Sequence, residues 1–160
     1  MRLAILLLCS AVGFGQSTTT SPPEPKAQPK GRCGEEFGLS INAHGHQMGS
    51  LDILSDPQGV DFGPYVERMV QKVNVNWHKL VPASESTKRG RLAIEFAIRK
   101  DGKLAEMCLG ATSGDVALDR AAWGGITAAN PFPTLPSDFT GPYLAVRFRF
   151  YYNPDRNDLN

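Results

Sequence analysis

Between Asp61 and Leu80, in DFGPYVERMVQKVNVNWHKL, the apolar residues Val66, Met69, Val70, Val73, Trp77 and Leu80 recur at helical spacing. Glu67, Gln71, Lys72, Asn74 and His78 fall on the other faces. The pattern predicts an amphipathic helix with Pro64 in its first turn, Asp61 capping the amides just ahead and Pro82 stopping it. The period then changes. Leu92, Ile94, Phe96 and Ile98 alternate with Arg91, Ala93, Glu95, Ala97 and Arg99, the signature of a half-buried strand. Asp101-Gly102 is a strong hairpin turn, and Leu104 to Leu109 supplies the returning strand.

Helical spacing resumes after Ser113-Gly114, where Leu118, Ala121, Ala122, Gly125 and Ile126 define a narrow face of small residues. Such a face lets a helix lie close against a sheet. Ser113 or Asp115 can cap its start, and Asp115 and Asp119 suit the positive end of the helix dipole. Asn130-Pro131 ends it, and PFPTLP has too many prolines for regular structure. The last strand is PYLAVRFRFYYN, with Leu144, Val146, Phe148 and Phe150 inward and Arg147, Arg149 and Tyr151 outward.

The order helix, strand, strand, helix, strand makes the second helix a crossover, so the first strand lies between the other two. The expected fold is α+β: a small three-stranded antiparallel or mixed sheet with two helices packed on one face. Such an open sheet has two edges, and the final strand is expected to be one of them. A free edge accepts another strand, which makes Tyr143, Ala145, Arg147, Arg149 and Tyr151 the candidate partner-binding residues.

Composition bounds the rest. The chain has 160 residues, enough for one core plus appendages, and a formal net charge of +1 gives no global field for nucleic acid. MRLAILLLCSAVGFG, with one cation, a short apolar run and small residues at Gly13 and Gly15, reads as a secretory signal cleaved after Gly15. The expected location is therefore the periplasm. Residues 16–50 form a Pro, Ser, Thr and Gly-rich segment, 51–153 the folded domain and 154–160 a polar tail; whether Leu51 to Leu54 adds a strand is open. Loss of the signal removes Cys9 and leaves Cys33 and Cys108, which in an oxidising compartment either pair or stay as two thiols.

Other candidate chemistry is thin. His44 and His46 form an i, i+2 pair without further ligands at metal spacing, so no metal is expected. Lys88, Arg89 and Arg91 read as a solvated loop, and the arginine and aromatic alternation of the last strand as an amphipathic strand; no nucleic acid is expected. Ser113, His78 and Asp119 lack a nucleophile turn around the serine, Glu35-Glu36 lies in the irregular segment, and Cys108 sits within a strand. No enzyme activity and no cofactor are expected.

Taken together, GVDFGPYVERMVQKVNVNW, RLAIEFAIRKDGKLAEM, SGDVALDRAAWGGITAANPFPTLP and LAVRFRFYYN resemble the TonB/TolA C-terminal domain family, in the form found in exported proteins of Acidobacteria type. The resemblance spans residues 51–153. It implies a non-enzymatic periplasmic interaction module whose last strand receives a segment of an outer-membrane receptor or other envelope protein. Relatives that transduce energy carry a membrane helix and a long periplasmic span. Here about fourteen proline-rich residues at ~3.1 Å each reach only about 43 Å. A self-contained transducer is disfavoured, and the alternatives are a self-associating homodimer or an anchored transducer that retains its N-terminal segment.

Overall fold

A computed structural model describes residues 46–48 as backbone and 50–155 in full. The elements are β1 (His46–Met48), β2 (Leu51–Ile53), α1 (Gly63–Leu80), a single 3-10 turn (Ala83–Glu85), β3 (Gly90–Arg99), β4 (Leu104–Ala111), α2 (Val116–Ala129) and β5 (Tyr143–Tyr152). The five strands pair in the order β1-β2-β5-β3-β4, antiparallel at every step. The expected helix, hairpin, helix and final strand are all present, with β3 central between β4 and β5. Two short strands, β1 and β2, are added beyond the three expected, so Leu51 to Ile53 does form a strand, and β1 lies N-terminal to the expected domain start at Leu51.

Alternation in β3 and β5 explains the single core. Leu92, Ile94, Phe96 and Ile98 of β3 join Leu144, Val146, Phe148 and Phe150 of β5 in one buried cluster. Tyr65, Val66, Met69 and Val73 of α1 and Leu118, Ala122, Ile126 and Ala129 of α2 enter the same cluster, so both helices cover one face of the sheet. Each fully buried aliphatic or aromatic side chain there contributes about 1.5–3 kcal/mol relative to exposure. The stripe of α1 fades at its end: Trp77 is half-buried and Leu80 exposed.

Local signals act much as their chemistry requires. Asp61 Oδ1 accepts the Gly63 amide at 2.8 Å, and Pro64 stands in the first turn of α1. Asp115 is the N-cap of α2, accepting the amides of Ala117 at 2.8 Å and Leu118 at 3.2 Å. Asp119 gathers the Ser113 amide and hydroxyl at 2.9 and 2.6 Å, with Thr112 Oγ1 at 2.5 Å, which fixes the approach to the helix.

One expectation about α2 is corrected. Its small residues were expected to bring it close to the sheet, but the glycines meet α1 instead. A Cβ on Gly125 would lie 2.8 Å from Trp77 Cβ and 3.0 Å from Trp77 Cα. The period of a helix identifies which face is small; it does not identify which neighbour that face meets.

The proline-rich return is irregular, as expected, and it also builds core. Phe132, Leu135 and Phe139 are buried, and Phe132 stacks on Phe96 with ring centroids 5.6 Å apart. Its contacts pin the β3–β4 hairpin. Phe132 N–H donates to Gly102 O at 2.8 Å, Leu135 N–H to Lys100 O at 3.1 Å, and Asn130 Oδ1 accepts from Leu104 N–H at 3.0 Å. Gly102 has φ +82, and a Cβ there would come 2.1 Å from Phe132 O.

Candidate partner-binding edge

Along β5 each residue sends its side chain to one face of the sheet and its backbone groups to one neighbouring strand. Leu144, Val146, Phe148, Phe150 and Tyr152 point to the helices and are buried. Ala145, Arg147, Arg149 and Tyr151 therefore point to the helix-free face. The backbone of these same odd-numbered residues is turned away from β3. Arg149 N–H donates to Ser50 O at 2.7 Å, Leu54 N–H donates to Ala145 O at 2.8 Å, and Ala145 N–H donates to Ser55 Oγ at 2.6 Å.

These bonds correct the expectation that β5 is a sheet edge. β2 pairs with it in the register Leu51–Phe148, Asp52–Arg147 and Ile53–Val146. A three-residue strand carries too little periodicity to be read from sequence beside its neighbours. The cover is short, however. With its flanks β2 spans Ala145 to Arg149, whereas β5 runs ten residues from Tyr143 to Tyr152. Beyond Ser50 the chain turns back, and β1 pairs with β2, so Tyr143 and Tyr151 lie past the covered stretch.

The helix-free face of this region carries a charge network. In register, Gln47, Asp52, Arg147, Glu95 and Cys108 form one row across all five strands. Arg147 donates to Glu95 Oε1 through Nε at 2.9 Å and Nη2 at 2.6 Å. Arg149 Nη2 donates to Asp52 Oδ2, and Arg147 Nη1 lies 4.0 Å from that same oxygen. Asp52 is 4% exposed and Glu95 7%. One oxygen of each, Asp52 Oδ1 and Glu95 Oε2, is buried without a hydrogen-bond partner among the described residues. Gly110 leaves room for Glu95, since a Cβ there would sit 3.3 Å from Oε1.

Sequence reasoning found the two arginines and missed both acids. Glu95 occupied an outward position in an alternating strand, and Asp52 stood between two apolar residues. Neither signal names Arg147 or Arg149, because the pairing depends on register between strands about fifty and a hundred positions apart in the chain. Next to the network, Arg91, Thr112, Arg149 and Tyr151 line an open concavity of about 340 Å3.

The far end of β5 is anchored in the core. Tyr152 Oη accepts from Trp77 Nε1 at 2.7 Å and donates to Leu118 O at 2.7 Å, which joins β5 to both helices. Burial pushes this phenol up to about 12, with the bond from Trp77 opposing the rise. Near the start of β3, Lys88 pairs with Asp115 and Glu85. The bond to Asp115 is the main reason that Lys88 is held above its ordinary range and Asp115 below its own.

The remaining candidates disperse. Ser113 and Asp119 are brought together, but both serve the start of α2, while His78 lies against the ring of Trp77 on α1. Arg89 pairs with Asp155 and donates to Asn153 O. Cys108 lies in β4 and is disulfide-bonded, with its partner outside the described residues. Cys33, His44, Glu35 and Glu36 also lie outside them. Among the described residues no group of three or more His, Cys, Asp or Glu is placed to hold a metal ion. No described helix is long and apolar enough to cross a membrane.

Two helices on one face of an antiparallel sheet, ending in a long aromatic strand, define a small α+β domain. The chain matches the family described as TonB C terminal over residues 62–150, more than half of its length, and it belongs to that family. TonB C-terminal domains are in general non-enzymatic domains of the cell envelope that interact with outer-membrane proteins. Two solution structures of the Helicobacter pylori TonB C-terminal domain are similar to this chain at 17% identity. The longer, residues 179–285, has a TM-score of 0.46 and is aligned over 61% of this chain and 87% of its own. The shorter, residues 194–285, has a TM-score of 0.37 and is aligned over 54% and 97%. No curated protein matches the chain.

Proposed function

We propose that this chain is a periplasmic partner-binding domain that takes up an extended segment of an outer-membrane or other envelope protein by strand pairing along β5. The observation that supports this most is the mismatch, among the described residues, between a ten-residue strand and its five-residue cover, which leaves Tyr143 and Tyr151 beyond β2. Main-chain hydrogen bonds supply affinity in such pairing, and side chains on alternate positions supply selectivity. Arg147, Arg149 and Tyr151 are the alternate positions here. The same family membership supports a domain that binds and performs no chemistry of its own.

The test is photo-crosslinking in the native host from a reactive amino acid at Tyr151, with Glu106 on the opposite outer strand as the comparison, and mapping of the joined peptides. The expected result is one continuous segment of an envelope protein joined at Tyr151 and absent at Glu106. Joining from Glu106 alone would move binding to β4. Capture of a second copy of the chain at Tyr151 would replace the partner with self-association.

A further inference from the structure

The strand that covers β5 is itself informative about what belongs there. Leu51 and Ile53 turn into the core cluster and are 0% and 2% exposed, while Asp52 turns to the other face between the two arginines. Any strand laid on β5 in this register must therefore place apolar side chains on the helix side and a carboxylate between Arg147 and Arg149. Glu95 already answers Arg147 through two bonds, so the charge left to be matched is that of Arg149.

Asp52 fills this role incompletely. Among the described residues only Oδ2 is used, Oδ1 is buried without a partner, and Arg147 Nη1 remains 4.0 Å away. A carboxylate on a strand not joined to β1 is free to shift along β5 and offer both oxygens. Strand β2 and its flanks also reach no farther than Arg149, stopping before Tyr151 and the concavity beside Arg91. A longer strand can gain both. β2 holds its place partly because it is tethered, an advantage equivalent to a local concentration on the order of millimolar for a short link.

We infer that β2 occupies, within the chain, the place of the partner's strand. The partner's strand is an extended peptide with one carboxylate between two apolar residues, laid antiparallel to β5 with its acid between Arg147 and Arg149. This rests on the reading of β5 as the pairing strand and adds to it the chemical class of the ligand and an internal competitor that must be displaced.

The test uses the full chain and a fluorescent nine-residue peptide, four N-terminal residues followed by Ser-Leu-Asp-Ile-Leu, together with its twin carrying Asn for Asp. Anisotropy with the wild type should favour the acidic peptide by about tenfold or more, the order expected when one member of a partly buried charge pair is removed. Asp52→Asn, which weakens the internal competitor, should bind the acidic peptide about tenfold more tightly than wild type. Arg149→Gln should reduce the preference to within about twofold. Hydrogen exchange supplies the control. In Asp52→Asn the Arg149 amide should lose protection while the Phe148 and Phe150 amides, which face β3, keep theirs.

Equal binding of the two peptides to the wild type, with β5 protected by both, would overturn the carboxylate requirement and leave pairing at β5 standing. Failure of either peptide to bind the wild type or Asp52→Asn would overturn the inference. Binding of the acidic peptide that leaves β5 exchange unchanged would overturn the reading of β5 itself.

Discussion

Tyr152 shows how much one atom can connect. Its hydroxyl receives a hydrogen bond from Trp77 of α1 and gives one to the Leu118 carbonyl of α2. Tyr152→Phe removes both bonds and leaves a buried donor and acceptor unmatched, at a cost of about 1–3 kcal/mol. The same residue sets an alkaline limit. A phenol raised from an ordinary value near 10 to about 12 is favoured by folding in its neutral form. Its stabilisation is therefore complete below pH 10 and is lost as pH rises from 10 toward 12. Melting temperatures recorded across that window should fall less steeply in Tyr152→Phe than in the wild type. Tyr65, also held above its ordinary value by burial, leaves a residual slope in the variant. An unchanged slope would assign the alkaline loss elsewhere.

At the scale of elements, the two adjacent glycines of α2 should respond in opposite directions to the same change. A Cβ on Gly125 meets Trp77 Cβ and backbone atoms of α1, which cannot swing aside. Gly125→Ala should destabilise by about 1–3 kcal/mol through overpacking. A Cβ on Gly124 meets only Leu80 Cδ1, the tip of an exposed side chain. Gly124→Ala should be neutral or stabilise by up to about 1 kcal/mol, the ordinary helix gain of alanine over glycine. Urea midpoints of the two variants decide it, and equal shifts would show that the glycines do not set the distance between the helices. The same pair marks what was legible in the sequence. Faces could be read from their period: the buried side of α2, the alternation of β3 and β5, and the turn at Asp101-Gly102. Neighbours could not, because contact between α1 and α2, or of Asp52 and Glu95 with the arginines, depends on packing and register that no local pattern encodes. Whether Leu51 to Leu54 adds a strand stayed open in the sequence for a related reason, since three buried residues in succession have no alternation to detect.

For the molecule as a whole, β4 is covalently tied through Cys108 to a residue outside the described part of the chain. We expect that residue to be Cys33, the candidate partner named from the sequence. A crosslink of this kind contributes about 2–4 kcal/mol, largely by restricting the unfolded chain. Reduction should lower the melting temperature of the wild type. Cys33→Ser should melt like the reduced wild type and ignore reductant, whereas a Cys33→Ser chain still sensitive to reductant would assign the bond to a different cysteine. A different kind of tie explains why Asp101-Gly102 stands out so clearly in the sequence. The positive φ of Gly102 would by itself leave room for asparagine, yet the Phe132 carbonyl lies where any side chain would have to go. The most legible motif in the chain is thus fixed twice, once by its own turn and once by a loop thirty positions downstream. Its durability is a property of that loop, and a lineage free to reshape the return after α2 would also be free to lose the turn.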